Sequence, residues 1–287
     1  PPLRLSTSTV ISKIHLQLPM HFQARCITTQ KGFEQCTSEI IAQWKASHFP
    51  ANTLLSLTGG LGIDDWAWAK NGSSVMSLDP DESLNEVVRY NWARLFIDAT
   101  RLDSTAEMWL EANPDARFDL GYVDPDRRPQ GARKSFQAED YLPNVFELIK
   151  KYGVIGKMWL LKLSPMTDPH WIFHRFECYT EIASLGYKNE AKEILVLVDP
   201  KRKKTEAPII DCIEIMVEGE SEVKGHITSI QGSEVNSTHQ VLDMRFSELR
   251  MDTFPTNSNW MIWEPSPAIF ASSLHTSISQ RFQLLAA

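Results

Sequence analysis

Apolar and polar positions change period along the chain in a way that predicts alternating strands and helices. Leu54-Leu55-Ser56-Leu57 is an apolar run that breaks into Thr58-Gly59-Gly60-Leu61-Gly62. A run of this length suits a strand buried on both faces of a parallel sheet, and the glycines allow a sharp turn that a ligand can approach closely. Residues 64–70 then predict a helix closed by Asn71-Gly72 as a left-handed cap. Upstream, Ile40, Ile41 and Trp44 fall at helical spacing with His48 one turn on, and Thr37 or Ser38 is placed to cap that helix. Downstream, a strand over 74–79 ends in Asp79, and Leu84, Val87, Val88 and Asn91 mark one face of a helix. Phe96-Ile97 predicts a short third strand with Asp98 just past it, followed by a helix over about 103–112. A strand over 118–124 ends in Asp124. Residues 140–151 predict a helix with Leu142, Val145 and Ile149 inward, ahead of a strand over 158–163. This alternation means an α/β fold with a doubly wound, mostly parallel, Rossmann-like sheet.

The flanks are less regular. Residues 1–33 show no strong period, so 1–48 reads as an N-terminal extension plus helix, 49–218 as the Rossmann-like domain and 219–287 as a C-terminal appendage. Ile194 to Val198 and Cys212 to Val217 are strand-like and predict a late antiparallel pair at one sheet edge. Residues 218–258 are polar. Trp260-Met261-Ile262-Trp263 is a last apolar run, followed by Glu264-Pro265-Ser266-Pro267 and a predicted helix.

Composition narrows the class. With 287 residues the chain can bury a full core. Its longest apolar stretches fall far short of the ~20 residues that span a bilayer, so no membrane helix is expected. No basic start followed by an apolar core marks a secretory signal, and a cytoplasmic location is the default expectation. The four cysteines, Cys26, Cys36, Cys178 and Cys212, are scattered without metal-binding spacing, which predicts free buried thiols and no metal site. A formal net charge of -7 argues against wholesale nucleic-acid binding and leaves room for local basic patches.

The candidate chemistry gathers at strand ends. Asp79 is placed to accept both hydroxyls of a ribose, which fits a dinucleotide or S-adenosylmethionine. The dinucleotide pattern wants a glycine three residues after Gly62, where this chain has Asp65. Asp98 is a candidate acceptor for an adenine amino group, and Asp124 a candidate at the reacting group. Arg127, Arg128, Arg133 and Lys134 form a basic cluster beside this edge. Forked guanidinium groups suit an RNA backbone, or pair with Asp124, Asp126 or Glu139 to shape the loop. Lys162 and Ser164 follow the fifth strand, as lining of a substrate mouth or, for Lys162, as a buried partner of Asp124. Lys201 to Lys204 reads as an exposed hairpin tip kept soluble by charge.

Taken together, Glu34-Gln35-Cys36-Thr37-Ser38-Glu39, Leu57-Thr58-Gly59-Gly60-Leu61-Gly62-Ile63-Asp64, Val123-Asp124-Pro125-Asp126-Arg127-Arg128, Lys162-Leu163-Ser164-Pro165-Met166 and Glu190-Ala191-Lys192-Glu193-Ile194-Leu195 resemble a known family. The chain looks like a class I S-adenosylmethionine-dependent methyltransferase, of a bacterial group in which a THUMP-like domain follows the catalytic one. The likeness covers about residues 32–200, with a fainter echo at Trp263-Glu264-Pro265-Ser266-Pro267. It implies a seven-stranded sheet with the methyl donor across the ends of its first strands. The family's donor loop maps onto Thr58, Gly59, Gly60 and Gly62 with Asp64 behind it, and the candidate donor site also takes in Gln35 and Thr37 of the first matching stretch and the strand-end acids Asp79 and Asp98. Ser56 stands where the family usually carries an acid that engages the donor's amino group. Asp124-Pro125-Asp126-Arg127-Arg128 occupies the place of an Asn/Asp-Pro-Pro-aromatic motif, without its second proline and aromatic. The candidate catalytic set is Asp124, Pro125, Arg127 and Arg128, and Arg133, Lys134, Lys162 and Ser164 are the candidate contacts to an RNA acceptor. Two alternatives stay open: a cofactor-binding scaffold without turnover, and a protein or small-molecule methyltransferase, which the net acidity favours.

Overall fold

Leu54 and Leu55 are chain neighbours, and both are fully buried. They manage this by facing opposite sides of β1 (Thr53–Ser56). Leu54 packs with Trp68, Tyr122 and Leu160, whereas Leu55 packs with Val123, Trp159 and Leu161. A strand apolar on both faces needs cover on both sides, which is the condition for a parallel sheet sandwiched between helices. The structure, a computed structural model, describes residues 8–127, 141–218, 222–231 and 267–272.

Four helices precede β1: α1 (Ser8–Gln17), α2 (Pro19–Gln23), α3 (Gln30–Gln35) and α4 (Glu39–His48). Then follow α5 (Ile63–Lys70), β2 (Ser74–Asp79), α6 (Glu82–Arg94), β3 (Thr100–Asp103), α7 (Ala106–Ala112) and β4 (Phe118–Val123). The short strands β5 (Asp126–Arg127) and β6 (Tyr141–Leu142) pair with each other alone. The chain continues through α8 (Val145–Tyr152), β7 (Gly156–Leu163), α9 (Pro169–Arg175), β8 (Cys178–Tyr187), β9 (Glu190–Lys203), β10 (Ile209–Glu218), β11 (Glu222–Gln231) and α10 (Pro267–Ala271).

The main sheet has nine strands in the order β11-β10-β8-β9-β7-β4-β1-β2-β3. From β3 across to β7 every pairing is parallel. β9 runs antiparallel between β7 and β8, and β10 returns to lie parallel on β8. The sheet reverses its winding between β1 and β4, the place where such folds bind ligands above the strands' carboxyl ends.

Several expected elements shift. Phe96-Ile97 is no strand: Phe96 is 95% exposed and turns the chain at a φ of 55°. The third strand is β3, so Asp98 precedes it at its amino end, and Asp103 is the acid at its carboxyl end. Leu142 lies in β6 rather than on a helix, and it is exposed. Cys212 to Val217 pairs with β11 and β8, and not with Ile194 to Val198, which sits between β7 and β8. A division at residue 218 therefore falls inside a hairpin of one sheet. Lys204 is no free tip, because its ammonium donates to the carbonyls of Phe173, in the last turn of α9, and of Phe176 just past it, at 2.7 and 2.8 Å. Cys26, Cys36 and Cys178 are half-buried, and Cys212 alone is buried. No helix among the described residues is long and apolar enough to cross a membrane.

The N-terminal residues are tied in by a buried pair. Glu39, at the first turn of α4, accepts from the backbone of Met20 and His21 at 3.0 and 2.8 Å and from the His21 ring at 2.6 Å. A side chain from another helix thus caps α2, whose own N-cap residue Leu18 offers no acceptor.

Packing between β4 and β7 leaves no slack at Gly121, which pairs with Trp159. A methyl group there would lie 2.4 Å from the Trp159 ring, and the indole is anchored by a 2.9 Å bond to the Gly153 carbonyl. Gly121→Ala is expected to cost about 1–3 kcal/mol by overpacking, read as a lowered urea midpoint.

Candidate functional site

The loop after β1 is shaped by what lies beneath it. Arg101, on β3, reaches under the loop with its guanidinium wholly buried. It donates to Asn85 at 2.6 Å, to Ser77 at 2.7 Å and to the Gly60 carbonyl at 2.7 Å, with Asp65 at 3.5 Å and Asp79 at 3.7 Å. Gly59 is required by this close approach, since a methyl group there would fall 1.7 Å from the guanidinium. Gly62 starts α5 at a φ of 75°, a conformation open to glycine and costly for other residues. At Gly60, by contrast, a methyl group would meet nothing within 4 Å, so this residue faces open space above the sheet edge.

Asp79, at the end of β2, is poised on that space. One of its oxygens accepts from the Gly60 amide and the other from the Asp81 amide, both at 3.0 Å. Each carboxylate oxygen has a second acceptor position left by these bonds. Asp103 lies beside it in register at the end of β3, where it accepts from Asn85 at 2.6 Å and from Arg89 at 2.9 Å. These bonds hold the Asp103 carboxyl below its usual range.

On the other side of the loop, Thr58 accepts from the Asp124 amide at 2.6 Å and so ties the glycine loop to the end of β4. Asp124 in turn holds the Lys162 ammonium at 2.5 Å. Burial pulls Lys162 down, but the carboxylates of Asp124, Asp64 and Glu193 outweigh it and keep the amine firmly protonated. Lys162 is therefore a fixed cation and no base. Pro125 is buried behind Asp124. Ser164 accepts from the Met166 amide at 3.3 Å and stabilises the turn after β7.

Behind these residues lies a buried ion cluster. Lys45 of α4, with 0% of its side chain exposed, touches Asp64 at 2.8 Å, Glu193 at 3.1 Å and the Tyr122 hydroxyl at 3.1 Å. The other Asp64 oxygen accepts from Thr37 and Tyr122, each at 2.9 Å. Burial raises Asp64, yet Lys45 and Lys162 prevail and leave its carboxyl below the usual range. Burial wins at Glu193, which is raised in spite of both lysines. Burial and the surrounding carboxylates also keep Tyr122 a phenol.

The structure thus brings together Thr58, Gly59, Gly60, Gly62, Asp79, Asp124, Pro125 and Lys162 on one edge. Asp64 and Thr37 stand just behind it, bonded to each other, and Gln35 lies on the rim of a neighbouring groove. Asp98 is at the opposite end of β3. Arg127 belongs to β5, while Arg128, Arg133 and Lys134 lie outside the described residues. Sequence reasoning missed Arg101, Lys45, Glu193 and Asp103. The one available sign was a cation or an acid standing at an inward position of a predicted element.

Where the resemblance implies seven strands the sheet has nine: β9 lies antiparallel between β7 and β8, and β10 and β11 extend the sheet beyond β8. A solved structure described as a methyltransferase has the same fold. That protein, a "putative methyltransferase" from Porphyromonas gingivalis W83, matches at a TM-score of 0.69 and 19% identity, over 95% of this chain and 65% of that one. The chain thus spans about two thirds of that protein's length. More remote similarity reaches a SAM-dependent methyltransferase from Agrobacterium tumefaciens, at a TM-score of 0.41 and 12% identity over 68% of this chain and 61% of that one. It also reaches an O-methyltransferase from Bacillus cereus in complex with SAH, at a TM-score of 0.43 and 13% identity over 69% and 93%. No protein-family model matches the chain, and no curated protein matches it in sequence.

Proposed function

We propose that this chain binds S-adenosylmethionine over the ends of β1 and β2 and directs methyl transfer to RNA. One observation carries the reading: the open face of Gly60 lies beside Asp79, whose two oxygens are fixed by backbone amides with acceptor capacity to spare. That pairing of an unobstructed glycine backbone with an oriented carboxylate suits a ribose diol. When bound, the donor supplies an electrophilic methyl group on a positively charged sulfur. Asp124 then serves the acceptor. Its Lys162-bound oxygen fixes the carboxylate, and the other is placed to accept from an amine or hydroxyl and align it. Ser56 is fully buried at the end of β1, so the donor's amino group relies on loop carbonyls in place of a carboxylate there. RNA as the acceptor rests on the basic cluster that the sequence places after β4, Arg127, Arg128, Arg133 and Lys134.

Calorimetry tests the donor site. The intact chain is expected to bind S-adenosylmethionine and its demethylated product, and Asp79→Asn to weaken both by at least about tenfold, or ~1.4 kcal/mol. No measurable heat with the intact chain would remove the basis of the proposal. The clamp of Lys162 on Asp124, with Ser56 in the place of an acid, favours a second reading as a donor-binding scaffold. Tight donor binding without transfer of labelled methyl to RNA, protein or small-molecule extracts would select it. Label appearing in protein alone would replace RNA as the acceptor.

A further inference from the structure

A hollow of about 530 Å³ lies between α1, α2 and the body of the domain, with Leu61 of the donor loop and Asn91 of α6 in its wall. Ile14, Leu18, Phe22, Ile27 and Leu61 give it an apolar lining. Phe22 and Ile27 are 39% and 49% exposed and mark its mouth, whereas Ile14, Leu18 and Leu61 are buried behind them. A concave space of this size, mostly apolar with a few polar groups, has the character of a small-molecule site. Neither Asp79 nor Asp124 lines it, so it is separate from the chemistry placed at the strand ends.

The rim is held in place from both sides. Asn91 clasps the backbone of Ile27, accepting from its amide and donating to its carbonyl, both at 2.7 Å. Arg94 donates to the Ala24 carbonyl. Most polar groups of the lining are engaged: His21 with Glu39 behind it at 2.6 Å, and the Thr28 hydroxyl with the Thr29 carbonyl at 3.1 Å. His15 lies edge-on to Phe22, with ring centres 5.2 Å apart. Burial pushes the Cys26 thiol up to about 11, so it adds sulfur surface and no charge. Arg25 differs from these. Among the described residues no ion pair or hydrogen bond engages its guanidinium, and no carboxylate lines the hollow to compete for it.

We propose that this hollow binds a small amphipathic anion, an apolar carboxylic acid whose body lies on Ile14, Leu18 and Leu61 and whose carboxylate meets Arg25. The apolar wall gains by taking hydrocarbon out of water, and the fork of a guanidinium suits a carboxylate. Occupancy reaches the donor loop through Leu61, which stands between Gly60 and Gly62. A ligand resting on Leu61 acts on the backbone that frames the open face of Gly60, so the two sites are coupled. That coupling rests on the donor reading above, and it is reciprocal: each ligand changes the other's affinity by the same factor.

Calorimetry on the full chain with octanoate, and with 1-octanol as its neutral counterpart, is the test. Octanoate is expected to bind, and Arg25→Gln to weaken it by about fivefold or more while octanol stays within about twofold. Ile27→Trp fills the mouth from an exposed position and is expected to weaken both by about tenfold or more. Both variants should keep the melting temperature of the intact chain, since both side chains are exposed. Lys150→Gln and Val154→Trp, in and just after α8 against the other face of the sheet, should change neither ligand. Saturating octanoate is expected to shift S-adenosylmethionine affinity by about threefold or more. An intact chain that binds no octanoate would overturn the proposal, as would octanoate binding that Arg25→Gln and Ile27→Trp leave unchanged. Octanoate and octanol bound alike, with no dependence on Arg25, would overturn the recognition of an anion. Octanoate and donor that each bind without regard to the other would overturn the coupling. Octanoate bound as expected by a chain that never binds the donor would keep the hollow as a site and remove the donor reading.

Discussion

Lys45→Met will destabilise the protein by about 3–5 kcal/mol, and the loss will grow with pH. Removing the cation leaves Asp64 and Glu193 facing each other in the interior without their shared partner, the situation in which a broken buried pair is most costly. The pH dependence follows from the two carboxyls. In the intact protein Asp64 lies below its ordinary range, because Lys45 and Lys162 override burial. It therefore contributes stability above that range, which is lost as pH falls through its lowered pKa. Glu193 lies above its ordinary range because burial dominates, so it costs stability at higher pH and returns it as pH falls. Without Lys45 both groups shift upward in the folded state, against the pull that Lys162 still exerts, and protonation relieves part of the deficit. Urea denaturation at about pH 5 and pH 8 should show the deficit shrinking toward the acid side. A deficit equal at the two values would show that Lys45 acts by packing alone.

Gly59→Ala will remove donor binding by damaging the fold beneath the loop, and Gly60→Ala will weaken it with the fold kept. The methyl group at 59 collides with a guanidinium that is fully buried and held by Asn85, Ser77 and the Gly60 carbonyl. Neither side can yield without stranding Arg101 away from Asp65, so the expected cost is about 3 kcal/mol or more. At Gly60 the added methyl group has room, and the strain at a φ of 49° is on the order of 1 kcal/mol. It would project into the space assigned to the donor. Thermal unfolding and donor calorimetry on the two variants separate the effects. Equal melting temperatures would contradict the role given to Arg101, and full donor affinity in Gly60→Ala would contradict the placement of the ligand.

The glycine turn, the strands ending at Asp79 and Asp124 and the alternation around them were legible because each depends on local pattern. Apolar runs buried on both faces stand out in a chain, and glycine has few substitutes where backbone and guanidinium nearly touch. Lys45, Glu193 and Arg101 were not legible, because their role depends on which distant carboxylate or cation they meet. Lys45 does fall one turn after Ile41, on the inward face of α4, and Glu193 shares a face of β9 with Leu195 and Leu197. Those positions signal burial without naming a partner. Asp98 was misplaced for a simpler reason: Phe96 and Ile97 look like a strand, yet Phe96 is an exposed turn residue and Ile97 a half-buried one packed on the core, and hydrophobicity alone does not separate these from a strand. The helices before residue 36 were missed because their apolar residues show no strong period, and α2 gains its order from a contact distant in sequence, Glu39 with His21.

The attachment of β10 to β8 bears on how the protein handles itself in solution. β8 is ten residues long and mostly buried along its length. Were the chain cut before Ile209, one side of that strand would present a row of unpaired amides and carbonyls, a template for any passing strand. The hairpin of β10 and β11 therefore acts as a guard against self-association, and a shortened protein ending there should be recovered as aggregates even with its donor loop intact.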